Sequence, residues 1–182
     1  MPDIFVISDT HFGHANIITY CNRPFPNVKK MNEAMVERWN AVIKPEDKVY
    51  HLGDVYFPGD VTHWSQFFSK LHGHKRLILG NHDNAKDQVL QHTFEKIDAW
   101  RMFPELGLLL THVPVHESAL ARGPKGNVTK RSKLVNVHGH IHNNLSPAGP
   151  YINACVEWTN YKPVHIEDLA KIATSMLLTQ AA

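Results

Sequence analysis

The fold is constrained most by a series of short apolar runs, each of which ends in an aspartate, an asparagine or a histidine. Runs of this kind, rich in apolar and β-branched residues, are typical of buried strands. They predict five strands, over residues 3–8, 48–52, 76–79, 106–110 and 134–137. Each predicted strand therefore leads directly into side chains that are able to bind a ligand.

Helical segments separate the early strands. Apolar residues recur at helical spacing from Met31 to Val42, with Asn32 as a start signal and Pro45 as an end signal. Two more helices are predicted over residues 60–71 and 167–177. Strands that first alternate with helices and then follow one another closely favour a layered α/β fold.

Composition places the chain among ordinary globular proteins, and its 182 residues fit one domain, residues 1–182. No segment approaches the ~20 apolar residues of a membrane helix. The chain begins Met1-Pro2-Asp3 and shows no signal-peptide pattern. The two cysteines, Cys21 and Cys155, form no pair motif. We therefore predict a cytoplasmic protein with no membrane partner, and the net charge of +2 gives no argument for nucleic-acid binding.

Histidine is abundant, with 14 residues in the chain, and it is the commonest metal ligand in proteins. Asp9 and His11 are two residues apart, as are His140 and His142, so each pair faces one side of an extended chain. Loops at the carboxyl ends of strands converge in α/β sheets, which predicts a shared site. A glycine gives backbone freedom for a sharp turn at three of these ends: Gly53 before Asp54, Gly80 before Asn81, and Gly139 before His140.

The order of these motifs along the chain resembles the signature of the calcineurin-like metallophosphoesterases, in particular the small stand-alone members of bacteria and phages. The matching residues run from position 9 to position 142: Asp9-x-His11, Gly53-Asp54, Gly80-Asn81-His82-Asp83, His112 and Gly139-His140-x-His142. The resemblance implies an α/β/β/α sandwich, in which two mixed sheets are flanked by helices.

The resemblance also implies two divalent transition-metal ions. One would be held by Asp9, His11 and His142, the other by Asn81, His112 and His140, with Asp54 bridging both. Oxygen and imidazole ligands without thiolate suit Mn, Fe, Zn or Ni, and Mn is the ion expected to be most active in vitro. In this family a hydroxide that bridges the two ions attacks phosphorus.

Four further residues receive roles from the resemblance or from their position. His82 would stabilise charge on the phosphate or protonate the leaving oxygen, and Asp83 would orient His82 and keep it protonated. His14 follows the first ligand pair and is a candidate for contact with substrate. Arg23 is a candidate for capping the phosphate with its planar guanidinium.

The predicted function is therefore hydrolysis of a phosphodiester or phosphomonoester, with a nucleotide among the candidate substrates. A phosphodiesterase is favoured over a phosphatase because His82 is present and a diester leaving group benefits from an acid. A metal-dependent nuclease and an inactive scaffold with the same fold are the alternatives. Only the basic segment 121–133 hints at nucleic-acid contact, and His82 argues against a scaffold. Oligomeric state is left open.

Three other histidines compete for roles near the site. His116 is a rival to His112, which is preferred because it directly follows an apolar strand. His138 shares a face with His140 and is interpreted as a core or supporting group. His51 lies within an apolar run and is interpreted as a buried, hydrogen-bonded residue.

Overall fold

The computed structural model describes residues 2–122 and 132–179. Its helices and strands, in chain order, are β1 (Ile4–Ile7), α1 (Asn16–Tyr20), α2 (Val28–Asn40), β2 (Lys48–His51), α3 (Val61–Phe68), β3 (His74–Ile78), α4 (Gln88–Thr93), β4 (Lys96–Asp98), β5 (Trp100–Phe103), β6 (Leu108–Thr111), β7 (Ala121–Arg122), β8 (Ser132–Lys133), β9 (Val135–His138), β10 (Tyr151–Asn153), β11 (Val164–His165) and α5 (Ile166–Thr179). Short 3-10 turns at Pro104–Leu106 and Glu117–Leu120 connect some of them.

Two mixed sheets form the centre of the fold. The first has the strand order β11-β1-β2-β3-β4, in which β1 to β4 are parallel and β11 is antiparallel. The second has the order β10-β9-β6-β5, in which only β5 runs antiparallel to its neighbour. The predicted α/β class with two mixed sheets is confirmed.

Alternating residues of the first sheet pack into two separate clusters. Phe5 and Ile7 on β1 contact the cluster that includes Met31, Met35 and Trp39 of α2. Val6, which lies between them on β1, faces the opposite side of the sheet, because successive side chains of a strand alternate between its two faces. The cluster on that side joins the two sheets and includes Val6, Tyr50, Leu108, Leu110, Val135 and Val137. The carboxyl ends of the parallel strands of both sheets are thereby held at one edge of the sandwich.

All five predicted strands are present, with ends that differ from the prediction by up to two residues. The helix predicted to start at Asn32 begins instead at Val28, because the Asn27 side chain accepts a hydrogen bond from the Lys30 amide (3.0 Å) and caps it. The Asn32 side chain accepts from the Gly13 amide (3.1 Å) and so supports the loop after β1. A local sequence pattern does not distinguish these two uses of asparagine.

The sequence patterns miss α1, α4 and the short strands β4, β5, β10 and β11. Each is at most six residues long, and the four strands are defined by their pairing with other strands rather than by a pattern of their own. Of the basic segment 121–133, only the ends that form β7 and β8 are described, and residues 123–131 lie outside the described residues. No helix of the described ranges is long and apolar enough to cross a membrane.

Candidate metal centre

The seven residues predicted as metal ligands all lie just beyond the carboxyl ends of strands. Asp9 and His11 follow β1, Asp54 follows β2, and Asn81 follows β3. His112 follows β6, and His140 and His142 follow β9. The two sheets meet here, because the amide of His140 donates to Oδ2 of Asp9 (2.9 Å). Five separate segments thus bring their side chains to one place.

The backbone at this edge is strained. Among the described residues eight non-glycine positions have positive φ, and five of them are predicted ligands: Asp9 (57°), His11 (48°), Asp54 (55°), His140 (71°) and His142 (50°). Such conformations cost of order 1–3 kcal/mol each and tend to cluster at functional sites, where the surrounding structure imposes them. The packing of the two sheets therefore holds these side chains in directions that a relaxed chain avoids.

Two glycines permit the close approach of these loops for different reasons. Gly53 has a φ of +99°, which other residues rarely adopt. Gly80 has no such φ, but a Cβ there would collide with the Asp54 side chain and backbone. Gly80 is therefore required because Asp54 occupies the space that a Cβ would need. The sequence had suggested a sharp turn as the reason.

One group of ligand atoms surrounds His11. Its Nε2 lies 3.6 Å from Oδ2 of Asp54 and 3.9 Å from Oδ1 of Asp9. Nε2 of His142 lies 3.8 Å from the same Asp9 oxygen. Oδ1 of Asp9 and Nε2 of His11 are buried without a hydrogen-bond partner. Buried polar atoms are rarely left unpaired, so this group has the character of a cation site.

A second group surrounds Asn81. Its Oδ1 lies 2.8 Å from Nε2 of His112 and 2.7 Å from Nδ1 of His140. Nε2 of His112 also lies 3.6 Å from Oδ1 of Asp54. The other ring nitrogen of His112 donates to the Leu52 carbonyl oxygen (2.7 Å). Nε2 of His112 therefore faces two oxygen atoms, and these three atoms converge as the ligands of a cation do.

Burial favours the neutral forms of Asp9 and His11. Desolvation raises the pKa of the Asp9 carboxyl above its ordinary value and lowers the pKa of His11 to about 2. His11 is therefore neutral and free to act as a ligand at physiological pH. A divalent cation would supply the positive charge that the buried carboxylates need.

The donor set fits divalent metal ions, as the family resemblance implied. Its members are carboxylate, amide and imidazole groups. Cys155 Sγ lies 3.2 Å from Oδ2 of Asp9. Burial raises the pKa of this thiol well above its usual range, so the thiol donates a hydrogen bond to the Asp9 carboxylate.

His82 lies at the mouth of the site. Its ring is exposed and its centroid is 5.8 Å from that of His11. Its backbone amide donates to Oδ1 of Asp54 (2.9 Å). This position lets the imidazole reach a group bound at the metal centre while it remains outside both ligand groups.

The role predicted for Asp83 needs correction. Its Oδ2 accepts from the amides of Asp54 (2.8 Å) and Gly80 (2.9 Å), and its Oδ1 accepts from the Val55 amide (3.0 Å). None of the hydrogen bonds among the described residues joins it to the His82 ring. Asp83 therefore fastens the loop that carries Asp54, because three convergent backbone amides bind the carboxylate more effectively than one exposed imidazole.

The role predicted for Arg23 also needs correction. Its side chain is 0% exposed and forms a salt bridge with Glu157 (2.7 Å). The guanidinium donates to the carbonyl oxygens of Asp9 (2.7 Å) and Thr10 (2.9 Å). Arg23 thus clamps the strained backbone between the first two ligands from within the protein, where a substrate phosphate has no access.

Glu157 is a residue that the sequence reasoning missed. Its Oε1 binds Arg23 and lies 3.3 Å from Nδ1 of His142. A carboxylate that accepts from one ring nitrogen directs the other nitrogen toward a metal. Glu157 stands 15 positions after His142 with no recognisable motif, so only the fold reveals the contact.

We expect Glu157→Gln to destabilise the protein by about 3–5 kcal/mol, because the Arg23 charge would stay buried without its partner. The affinity for the metal beside His142 should fall by about 10–100-fold. Urea unfolding and manganese titration measure the two effects. Glu33→Gln removes the exposed pair with Lys30 and should change neither quantity. Unchanged metal affinity in Glu157→Gln would contradict the assigned role.

The remaining histidines fall outside the two ligand groups. His14 is half-buried and stacks on Phe57 with centroids 5.3 Å apart. His116 is exposed, and its ring accepts from the Ser118 amide (3.2 Å). His138 is buried and its ring contacts the carbonyl oxygen of Gly139 and the Ser146 hydroxyl, both at 3.0 Å. His51 is also buried, and its ring contacts the Thr10 hydroxyl at 2.9 Å.

Comparison with known proteins gives consistent matches. The family described as the calcineurin-like phosphoesterase superfamily domain matches residues 3–150. The uncharacterized protein MJ1445 of Methanocaldococcus jannaschii is 35% identical over 94% of this chain and 92% of its own length. The Gene 66 protein of Mycobacterium phage L5 is 33% identical over 46% of this chain and 41% of its own length. The crystal structure of AQ665 from Aquifex aeolicus, a protein of unknown function, has a TM-score of 0.73 at 30% identity and covers 94% of this chain and 100% of that chain.

Proposed function

The chain belongs to the calcineurin-like phosphoesterase superfamily, and from that premise we propose that it is a phosphodiesterase that uses two divalent transition-metal ions. One observation carries the proposal: the two carboxylate oxygens of Asp54 face different ligand groups. Oδ2 is directed toward His11 and Oδ1 toward His112, each at 3.6 Å. When bound, the two ions would bind phosphate oxygens and acidify a water molecule.

The residues of the chain divide the remaining tasks. Asp9, His11, Asp54 and His142 hold one ion, and Asp54, Asn81, His112 and His140 hold the other. His82 protonates the leaving oxygen of the ester, since its ring is exposed beside the site and lies in neither ligand group. Expulsion of an alkoxide from the ester benefits from a proton donor, and a diester is the substrate that we propose. The ring of His14 lies beside that of His11, and His14 contributes a second imidazole, next to that of His82, for contact with the substrate.

The test uses bis-para-nitrophenyl phosphate and para-nitrophenyl phosphate with metal-stripped protein, before and after addition of Mn²⁺. We expect turnover of the diester that requires the metal, at a rate above that of the monoester. Faster turnover of the monoester would make the protein a phosphatase, and cleavage confined to DNA or RNA would make it a nuclease. Absence of bound metal after incubation with Mn²⁺ would overturn the proposal in favour of an inactive scaffold.

A further inference from the structure

An apolar cavity of about 550 Å³ adjoins the candidate metal centre. Asn81 and His112, which belong to the second ligand group, form part of its wall. Its volume lies within the range of small-molecule sites, roughly 300–1,000 Å³. A phosphate bound at the second ligand group would therefore place one of its ester substituents beside the cavity.

The floor of the cavity is the outer face of the second sheet. Trp100 and Met102 of β5 pair with Thr111 and Leu109 of β6, so these four side chains share one face. The alternating residues, among them Phe103, point to the core between the sheets. The segment after β6 supplies another wall through Val113, Val115 and Ala119. The cavity is thus built from two strands and from a connection that starts at the metal ligand His112.

The lining favours an uncharged occupant. None of its described residues is aspartate, glutamate, lysine or arginine. The Thr111 hydroxyl is already used, since it donates to the Val113 carbonyl oxygen (2.6 Å) and accepts from Asn136 (2.9 Å). A charged or strongly polar substituent would lose its hydration here with little compensation.

Trp100 gives the cavity an aromatic surface. Its side chain lies on the edge strand of the second sheet and remains 57% exposed. An exposed tryptophan beside an apolar cavity offers a flat face for stacking, which is favourable for any planar ring. The cavity therefore combines a stacking face, an apolar floor and two residues of the metal centre.

We propose that this cavity binds an uncharged planar aromatic group of the substrate, such as a nucleobase or another aryl substituent, while its phosphate occupies the metal centre. The proposal rests on the proposed function and names the substrate class of the same site. Trp100 stacks on the ring, and Met102 and Leu109 contact its edge. Small alkyl phosphoesters leave the cavity empty and bind only through phosphate.

Calorimetric binding to the manganese-loaded protein tests the proposal with methyl phosphate, phenyl phosphate and thymidine 5′-phosphate, which carry equal charge. We expect both aromatic ligands to bind about tenfold more tightly than methyl phosphate. Trp100→Ala should remove this preference and leave methyl phosphate binding unchanged. Met102→Gln, of similar size, should reduce it. Leu178→Ala replaces a 68% exposed residue of α5 and should retain the preference.

The outcomes separate this proposal from the function on which it rests. Equal affinity for methyl and phenyl phosphate, or a preference that survives in Trp100→Ala, would refute the aromatic site alone. Absence of binding by methyl phosphate to metal-loaded protein would count against the phosphoesterase proposal itself. A preference for phenyl phosphate without one for thymidine 5′-phosphate supports an aryl site and excludes a nucleobase as its occupant.

Discussion

Asp54→Asn is expected to abolish metal-dependent hydrolysis of bis-para-nitrophenyl phosphate, with a loss on the order of 10³-fold or more. The carboxylate offers one oxygen to each ligand group, at 3.6 Å from His11 and from His112, and the amide offers only one oxygen in total. Loss of the charge stabilisation supplied by a metal is worth several kcal/mol, and each 1.36 kcal/mol is tenfold in rate. Turnover and metal content per chain, by mass spectrometry, are the measurements.

Asp47→Asn is the matched control. Asp47 is 1% exposed and accepts from the backbone amides of Asp3 (3.0 Å) and Lys44 (2.9 Å). Its replacement should reduce stability while metal content and turnover per folded molecule remain. If Asp54→Asn kept two ions per chain and turnover near that of the wild type, the bridging role of Asp54 would be wrong.

His82→Ala should lower turnover by about 10²–10⁴-fold, the usual contribution of a general acid. The side chain is exposed and belongs to neither ligand group, so metal content and stability should not change. Because an acid matters most when the leaving group is basic, the loss should be larger for diphenyl phosphate than for bis-para-nitrophenyl phosphate.

His92→Ala provides the comparison for His82. This histidine of α4 is exposed. Among the described residues its ring has one hydrogen-bond partner, the Gln88 carbonyl oxygen of its own helix (2.6 Å). Its replacement should leave turnover of both diesters unchanged. Turnover of His82→Ala within a few-fold of the wild type on both substrates would remove the acid role, and an equal loss on both would point to charge stabilisation instead.

Much of the candidate site could be predicted because the relevant information is local. A strand that ends in Asp9-x-His11 or Gly139-His140-x-His142 places its polar residues at a sheet edge wherever the strand packs. The order of the motifs therefore predicts which side chains meet, and the structure brings all seven together. Their binding of metal, and the identity of the ions, remain predictions.

The supporting interactions could not be predicted because they depend on burial and on distant contacts. The sequence makes Arg23 a candidate for contact with the substrate phosphate, but the fold buries it against Glu157, 134 positions away. Asp83 follows His82 in the sequence, yet its carboxylate binds two amides of the loop after β2 and the Gly80 amide of its own loop. The pairing of β2 with β3 brings these two loops together.

The sequence by itself determined the family, the α/β class and the set of candidate ligands, because strand periodicity and motif order are properties of short segments. Tertiary structure alone decided the left-handed backbone at five of those ligands and the clamp formed by Arg23 and Glu157. It also created the cavity beside Trp100, where β5, β6 and the following connection meet. These features arise where separate segments pack together. The free energy of burying a charge, or of leaving apolar surface exposed, depends on that packing and not on the local sequence.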